Sequence, residues 1–201
     1  MRLVLASNNA KKLAELQALF APVGLDLVTQ GSLGIGEAEE PHGTFVENAL
    51  EKARHAARAA GGAAIADDSG LCVDALGGAP GVLSARYATL FGQPKTDDDN
   101  NRVLLEQLLP HTDRRGRFVC ALVAVRSADD PEPLIAFGRW DGEVLQSPRG
   151  EGGFGYDPLL FIPSLSASVA ELPAAEKNRV SHRAIASRQM LGLMQEVWRL
   201  G

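Results

Sequence analysis

The sequence predicts an α/β fold with a mixed sheet, and three observations carry that expectation. Apolar runs of strand length alternate with segments of helical periodicity along the whole chain, which is the pattern of layered α/β architecture. The region 117–162 is rich in strands joined by short connections, so part of the sheet must be antiparallel. At 201 residues, with 45% hydrophobic and 22% charged residues, the chain is long enough to bury about 70% of its unfolded surface without a disulfide or metal staple. No internal repeat, low-complexity tract or linker divides it, so residues 1–201 are expected to form one domain built as two lobes of a single folding unit.

The elements follow in order. Leu3–Ala6 reads as a short buried strand. Residues 9–21 place Leu13, Leu16, Leu19 and Phe20 at helical spacing, with Pro22 and Gly24 as the stop. Leu25–Thr29 alternates as a second strand, and residues 31–43 form a Gly- and Glu-rich loop. Thr44 and Glu47 have the spacing of a capping box at the head of a helix reaching Gly61-Gly62. The alanines at 49, 53, 56, 57 and 60 of that helix predict close packing against a sheet or another helix.

Ala63–Ala66 reads as a strand running into Asp67-Asp68-Ser69-Gly70, which has the composition of a turn, and Leu71–Leu76 reads as a further strand. A helix is expected over 97–109, begun by Asp97 and ended by Pro110. Arg117–Arg126 and Leu134–Trp140 read as strands, with Asp141-Gly142 as a hairpin signal. Residues 148–158 form a glycine-rich loop, Leu159–Ile162 a strand, and the chain from Ser181 a well-buried final helix.

Charge and composition exclude several classes. Lys+Arg totals 20 against 25 Asp+Glu, a net charge of −5, which argues against long nucleic acids as partners. No apolar run approaches membrane-span length. The opening residues are too short an apolar stretch for a secretory signal, so a cytoplasmic protein is expected. Cys72 and Cys120 lie in apolar runs and read as buried thiols. The four histidines lack metal spacing, and H-E-x-x-H, C-x-x-C and G-x-S-x-G are absent, which disfavours a zinc site or a common serine hydrolase.

Four segments carry candidate chemistry. Ser7-Asn8-Asn9-Ala10-Lys11-Lys12 sits between a strand and a helix N-terminus, where free N–H groups and a lysine suit phosphate; on local sequence alone a plain Asn/Ser cap followed by solvated lysines is the slightly better account. Glu37, Glu39 and Glu40 crowd one loop, and Asp67-Asp68 follow a strand. Carboxylates so placed hold Mg²⁺ beside phosphate; a solvated acidic loop is the simpler account of the glutamates, whereas a plain turn is the weaker account of Asp67-Asp68, because an apolar strand runs straight into it and another leaves it. Gly150–Gly155 matches G-x-G-x-x-G, but no strand-to-helix context surrounds it, so it is not a dinucleotide fingerprint. Phe154, Tyr156 and Asp157 in that loop suit a planar base, or the loop is a glycine-bearing turn. Glu176–Arg183 offers either a charged helix start or a donor-rich wall for a base carbonyl or phosphate.

Taken together these residues resemble the inosine/xanthosine triphosphate pyrophosphatases, which hydrolyse deaminated purine nucleotides. The resemblance runs from Ser7–Lys12 through Gly43–Ala49 with Lys52, Ala66–Leu71, Gly77–Gly81, Ser84–Tyr87 and Gly153–Pro158 to Glu176–Asn178 and Ser181–Arg183. The first motif often reads Thr-Gly-Asn in that family; here it is Ser7-Asn8-Asn9. The resemblance implies an elongated two-lobed fold with a deep nucleotide cleft, a homodimer, and Mg²⁺-dependent cleavage between the α and β phosphates of ITP, dITP or XTP. It also implies Asp68 as general base and metal ligand, with Glu39 or its neighbour Glu40 as second ligand. Ser7, Asn8, Asn9, Ala10, Lys11, Lys12, Lys52 and Ser69 would bind substrate, as would Phe154, Gly155, Tyr156, Asp157, Lys177, His182 and Arg183. A phosphatase releasing phosphate and a nucleotide-binding module without turnover remain as competing readings.

Overall fold

The computed structural model describes residues 2–20 and 25–199. Its sheet has seven strands in the order β2-β1-β3-β4-β5-β6-β7: β1 Arg2–Leu5, β2 Asp26–Thr29, β3 Ala64–Val73, β4 Arg115–Val125, β5 Leu134–Val144, β6 Leu160–Ile162 and β7 Ala167–Ser168. The helices are α1 Ala10–Phe20, α2 Phe45–Ala60, α3 Asp97–Gln107, α4 Ala174–Val180 and α5 His182–Val197. Strand β1 runs parallel to β2 and β3, whereas β5–β6 and β6–β7 are antiparallel. The mixed α/β class is therefore as the sequence predicts. The stop assigned to Pro22 and Gly24 lies outside the described residues.

The chain forms two compact units. The first comprises 1–68, 120–138 and 182–201, and the second 69–119 and 139–181. Strands β3, β4 and β5 each begin in one unit and end in the other.

In the first unit the strand alternation sorts side chains cleanly onto two faces. Leu3, Leu5, Ile65, Cys120, Leu122 and Ala124 pack with Leu16 and Phe20 of α1 and with Ala186, Met190 and Met194 of α5. The intervening residues Val4, Ala6, Ala64, Ala66, Ala121 and Val123 meet the alanine face of α2, formed by Ala49, Ala53, Ala56 and Ala57. That face lets α2 lie close to the sheet; Ala53→Leu would overpack it at a cost of about 1–3 kcal/mol.

Thr44 caps α2 by accepting from the Glu47 amide at 3.3 Å. Its hydroxyl donates to the Glu47 carboxylate at 2.5 Å, so Glu47 receives the Thr44 side chain in place of the backbone N–H that a full capping box would supply.

In the second unit Leu71, Val73, Phe118, Trp140, Val144 and Leu160 enclose a core with Leu104 and Leu108 of α3 and with Tyr156 and Leu159. Helix α3 is capped by Thr96, one residue before the Asp97 start expected, and the Thr96 hydroxyl accepts from the Asp99 amide at 3.0 Å.

Two expected turns are absent, and two helical segments are added. Asp67-Asp68-Ser69-Gly70 is not a turn: β3 runs unbroken from Ala64 to Val73. Asp141-Gly142 is not a hairpin but lies within β5. A Cβ on Gly142 would stand 2.4 Å from the Phe161 carbonyl oxygen, so the glycine permits close strand pairing rather than a bend. The segment before the last helix holds a helix of its own, α4, and Gly81–Phe91 forms 3-10 turns broken at Arg86. Both cysteines are free thiols, with Cys120 buried. Among the described residues no helix is long and apolar enough to cross a membrane.

Candidate active site

Strand geometry decides what the paired aspartates can do. Consecutive residues of a strand face opposite sides, so Asp67 and Asp68 do not share a ligand as adjacent carboxylates in a turn would. Asp67 points to the face of α1 and α5. There Lys12 Nζ contacts Oδ1 at 2.5 Å, Arg183 Nε contacts Oδ2 at 3.1 Å, and the Cys120 thiol donates to Oδ2 at 3.1 Å. Arg183 also binds Glu15 of α1. The guanidinium is almost fully buried, at 2% exposure. Burial opposes its charge, but Asp67 and Glu15 outweigh that and raise its pKa above the ordinary arginine value.

Asp68 points to the face of α2. Lys52 Nζ bridges Asp68 Oδ1 at 2.8 Å and Glu40 Oε1 at 2.9 Å. Burial pushes the Asp68 carboxyl above the usual carboxylate range, and the shared Lys52 ammonium only partly opposes the shift. Lys52 is itself raised: burial disfavours its charge, but two carboxylates retain it. Asp68 Oδ2 is buried and has no hydrogen-bond partner among the described residues.

The metal expectation is tested on this geometry. Among the described residues no three His, Cys, Asp or Glu side chains are grouped to hold an ion. Mg²⁺, however, commonly uses one or two carboxylates, several waters and substrate phosphates. The orphaned Asp68 Oδ2 with Glu40 fits that donor set. Glu39 is exposed, and it is Glu40 that joins Lys52.

The segment before α1 is built as a cap. Asn9 Oδ1 accepts from the Lys11 and Lys12 amides at 3.0 and 3.1 Å, and Ser7 Oγ accepts from the Asn9 amide at 3.2 Å. The simple capping account is thus realised for Asn9 Oδ1, while Nδ2 of the same side chain is the donor a ligand could use. Ala10 and Lys11 are exposed on the first turn. Asn8 is also exposed and donates to Glu37 at 3.4 Å. His182 opens α5 and is buried. Its carbonyl passes so close to β5 that a Cβ on Gly138 would lie 1.7 Å from it.

The second unit holds the aromatic group. Lys177 of α4 is buried and binds Asp157 Oδ2 at 2.7 Å, with its ammonium 4.6 Å from the Phe154 ring centroid. The same Asp157 oxygen accepts from the Phe154 amide at 2.9 Å. Gly153 leaves room for this arrangement, because a Cβ there would stand 2.0 Å from Asp157 Oδ2. Tyr156 differs from the stacking role expected for the loop's aromatics. Its ring lies in the core and its hydroxyl donates to the Ser84 carbonyl at 2.9 Å, so it anchors the loop. Ser69 is half-buried on β3.

Sequence reasoning missed Glu15, whose signal was its place one turn after Lys12 on the same helix, and the two α3 side chains that hold Gly155. Asp97 accepts from the Gly155 amide at 2.8 Å, and Asn101 donates to the Gly155 carbonyl at 3.0 Å.

Comparison with known proteins bears on these groups. A model of the Ham1 family matches residues 3–193. A dITP/XTP pyrophosphatase of Methylibium petroleiphilum is 67% identical, the match covering 98% of this chain and 99% of that protein. One of Leptothrix cholodnii is 65% identical over the full length of both. Among solved structures, a HAM1 protein from Coxiella burnetii superposes with a TM-score of 0.90 at 43% identity, covering 98% of this chain and 100% of that one. A nucleoside-triphosphatase / dITP/XTP pyrophosphatase from Mycobacterium abscessus gives 0.73 at 40% identity, covering 96% and 98%.

Proposed function

The chain belongs to the Ham1 family, and we propose that it hydrolyses the non-standard purine nucleoside triphosphates dITP, XTP and ITP to the nucleoside monophosphate and pyrophosphate. The observation that carries this reading is near-full-length identity of 67% to a relative named for that activity. The chemistry of the described residues supports it. Asp68, its pKa raised by burial, is suited to take a proton from water as the water oxygen bonds to the α-phosphorus. The bond from that phosphorus to the bridging oxygen breaks, and pyrophosphate leaves with the electron pair. A general base is most effective when its pKa lies near the working pH.

Lys12 and Lys52 supply positive charge for the phosphate oxygens, where phosphoryl transfer needs mostly positioning and electrostatic stabilisation. Asp68 and Glu40 would hold Mg²⁺. When bound, the ion would neutralise phosphate charge and polarise the P–O bonds. In the second unit Phe154 beneath Lys177 offers an aromatic face and a cation for a purine and its 6-keto oxygen. A donor aimed at that oxygen disfavours adenine, whose 6-amino group would leave it unpaired.

Product analysis tests the reading. Purified protein is incubated with inosine, xanthosine, guanosine and adenosine triphosphates, with and without Mg²⁺. Pyrophosphate from the first two alone, and only with Mg²⁺, is expected. Release of inorganic phosphate, or tight binding without turnover, would overturn it.

A further inference from the structure

Asp97 and Asn101 lie four residues apart on α3, and therefore on one face of that helix. Together they satisfy both polar backbone groups of Gly155: Asp97 Oδ2 takes its N–H at 2.8 Å, and Asn101 Nδ2 gives to its carbonyl at 3.0 Å. Gly155 sits at φ +61°, a left-handed conformation that only glycine adopts without strain. Its neighbours on either side are the half-buried Phe154 and the core-anchored Tyr156, with Asp157 next. Asp157 in turn holds Lys177 over the Phe154 ring.

The peptide between Phe154 and Tyr156 is thus fixed by two side chains of α3, whose Leu104 and Leu108 also share the core with the Tyr156 ring. The Gly155 contact is also the hydrogen bond that satisfies the Asn101 amide, since Asn101 Oδ1 is buried with no partner among the described residues. A buried side chain of similar size without polar atoms would avoid that cost.

We propose that Asp97 and Asn101 are positioning residues for base recognition. They lock the Gly155 peptide so that the Phe154 ring and the Asp157–Lys177 pair hold one geometry toward the purine. The proposal rests on the pyrophosphatase reading, in which this loop meets the base. Neither residue touches the reacting phosphate. Their loss therefore weakens binding and selectivity while leaving the chemical step in place.

The experiment measures kcat and KM for inosine triphosphate, and the inhibition constant of guanosine triphosphate against it, in wild type, Asp97→Ala, Asp97→Asn, Asn101→Ala and Asp98→Ala. Asp98 is exposed in the same first turn of α3, so Asp98→Ala removes a comparable helix-terminal charge without touching Gly155. Loss of one hydrogen bond to a charged group predicts a KM for inosine triphosphate raised about tenfold in Asp97→Ala, with kcat within about twofold. Preference over guanosine triphosphate should narrow, and Asn101→Ala should act in the same direction. Asp97→Asn, which still offers an acceptor, should recover most of the effect, and Asp98→Ala should match wild type.

Amide hydrogen exchange at Gly155 should quicken in Asp97→Ala and not in Asp98→Ala. An unchanged KM in Asp97→Ala, an equal shift in Asp98→Ala, or unchanged Gly155 exchange overturns the proposal. Should Asn101→Ala not fold, the Asp97 pair of variants decides. Should wild type release no pyrophosphate, the activity reading fails by itself, and the exchange arm still decides whether the clamp exists.

Discussion

Asp67 and Asp68 are neighbours in β3 that work on opposite faces of the sheet: Lys12 and Arg183 close on the first, Lys52 on the second. Two adjacent carboxylates thereby hold separate environments, one saturated with cations and one left with a bare oxygen. Burial raises the Asp68 carboxyl above the usual carboxylate range, which suits the proposed role of base.

Replacing Asp68 by Asn keeps the shape and removes the proposed base. Pyrophosphate release should fall by ~10²–10⁴-fold, while thermal unfolding stays cooperative. Near-normal turnover in a folded Asp68→Asn protein would remove Asp68 from the mechanism.

The raised carboxyl also has a signature in stability. In the metal-free protein the folded state holds the Asp68 proton more tightly than the unfolded chain does. Between the unfolded pKa and the higher folded one, the native state binds more protons, so this group's contribution to stability falls as pH rises through that window. Asp68→Asn cannot ionise and should lack that decline. Urea unfolding in chelator across the acid range should show the wild-type and variant curves diverging as pH rises.

Removing the guanidinium of Arg183 leaves the fully buried Asp67 carboxylate with Lys12 as its one cation and takes a buried cation from Glu15. Arg183→Met should cost about 3–5 kcal/mol in urea unfolding. Adding Asp67→Leu should return part of the loss, since the buried charge held by fewer cations is then gone. A single variant as stable as wild type would show that the pair is not buried as described.

Gly138 is a packing glycine. Adding one methyl group there meets the His182 carbonyl, and α5 must shift off β5. Gly138→Ala should lower stability by about 1–3 kcal/mol and depress activity with it. An unchanged melting temperature would contradict the close approach.

Chelation supplies a further check. Turnover should vanish in excess EDTA and return with added Mg²⁺, because the proposed Asp68–Glu40 donor set would use the ion to offset triphosphate charge. Full activity in chelator would refute the metal assignment.

What the sequence made legible was local. The period-2 strands on either side of α2, the alanine face of that helix and the Thr44 cap all follow from near-neighbour chemistry, and they stand in the structure. What misled was polar composition. Asp67-Asp68-Ser69-Gly70 looks like a turn because turns favour those residues. It is a strand because Arg183, 116 residues away, and Lys12, 55 residues before, neutralise Asp67. No local window contains those partners. Asp141-Gly142 failed similarly: its glycine answers to the Phe161 carbonyl of another strand. The choice between Glu39 and Glu40 had no periodicity to settle it, and only the position of Lys52 distinguishes them.

Three cations of the first unit, Lys12, Lys52 and Arg183, are engaged by carboxylates. Lys12, Lys52 and Arg183 face Asp67, Glu15, Asp68 and Glu40, so four carboxylates stand against three cations. On the proposed function a triphosphate would therefore not settle into a positively charged basin. It must trade places with resident anions, and binding at Lys12 or Lys52 becomes an ion-exchange equilibrium. Such a region repels a bare polyanion and admits one whose own counter-ion comes with it. Metal dependence would then be a condition of arrival as well as of chemistry.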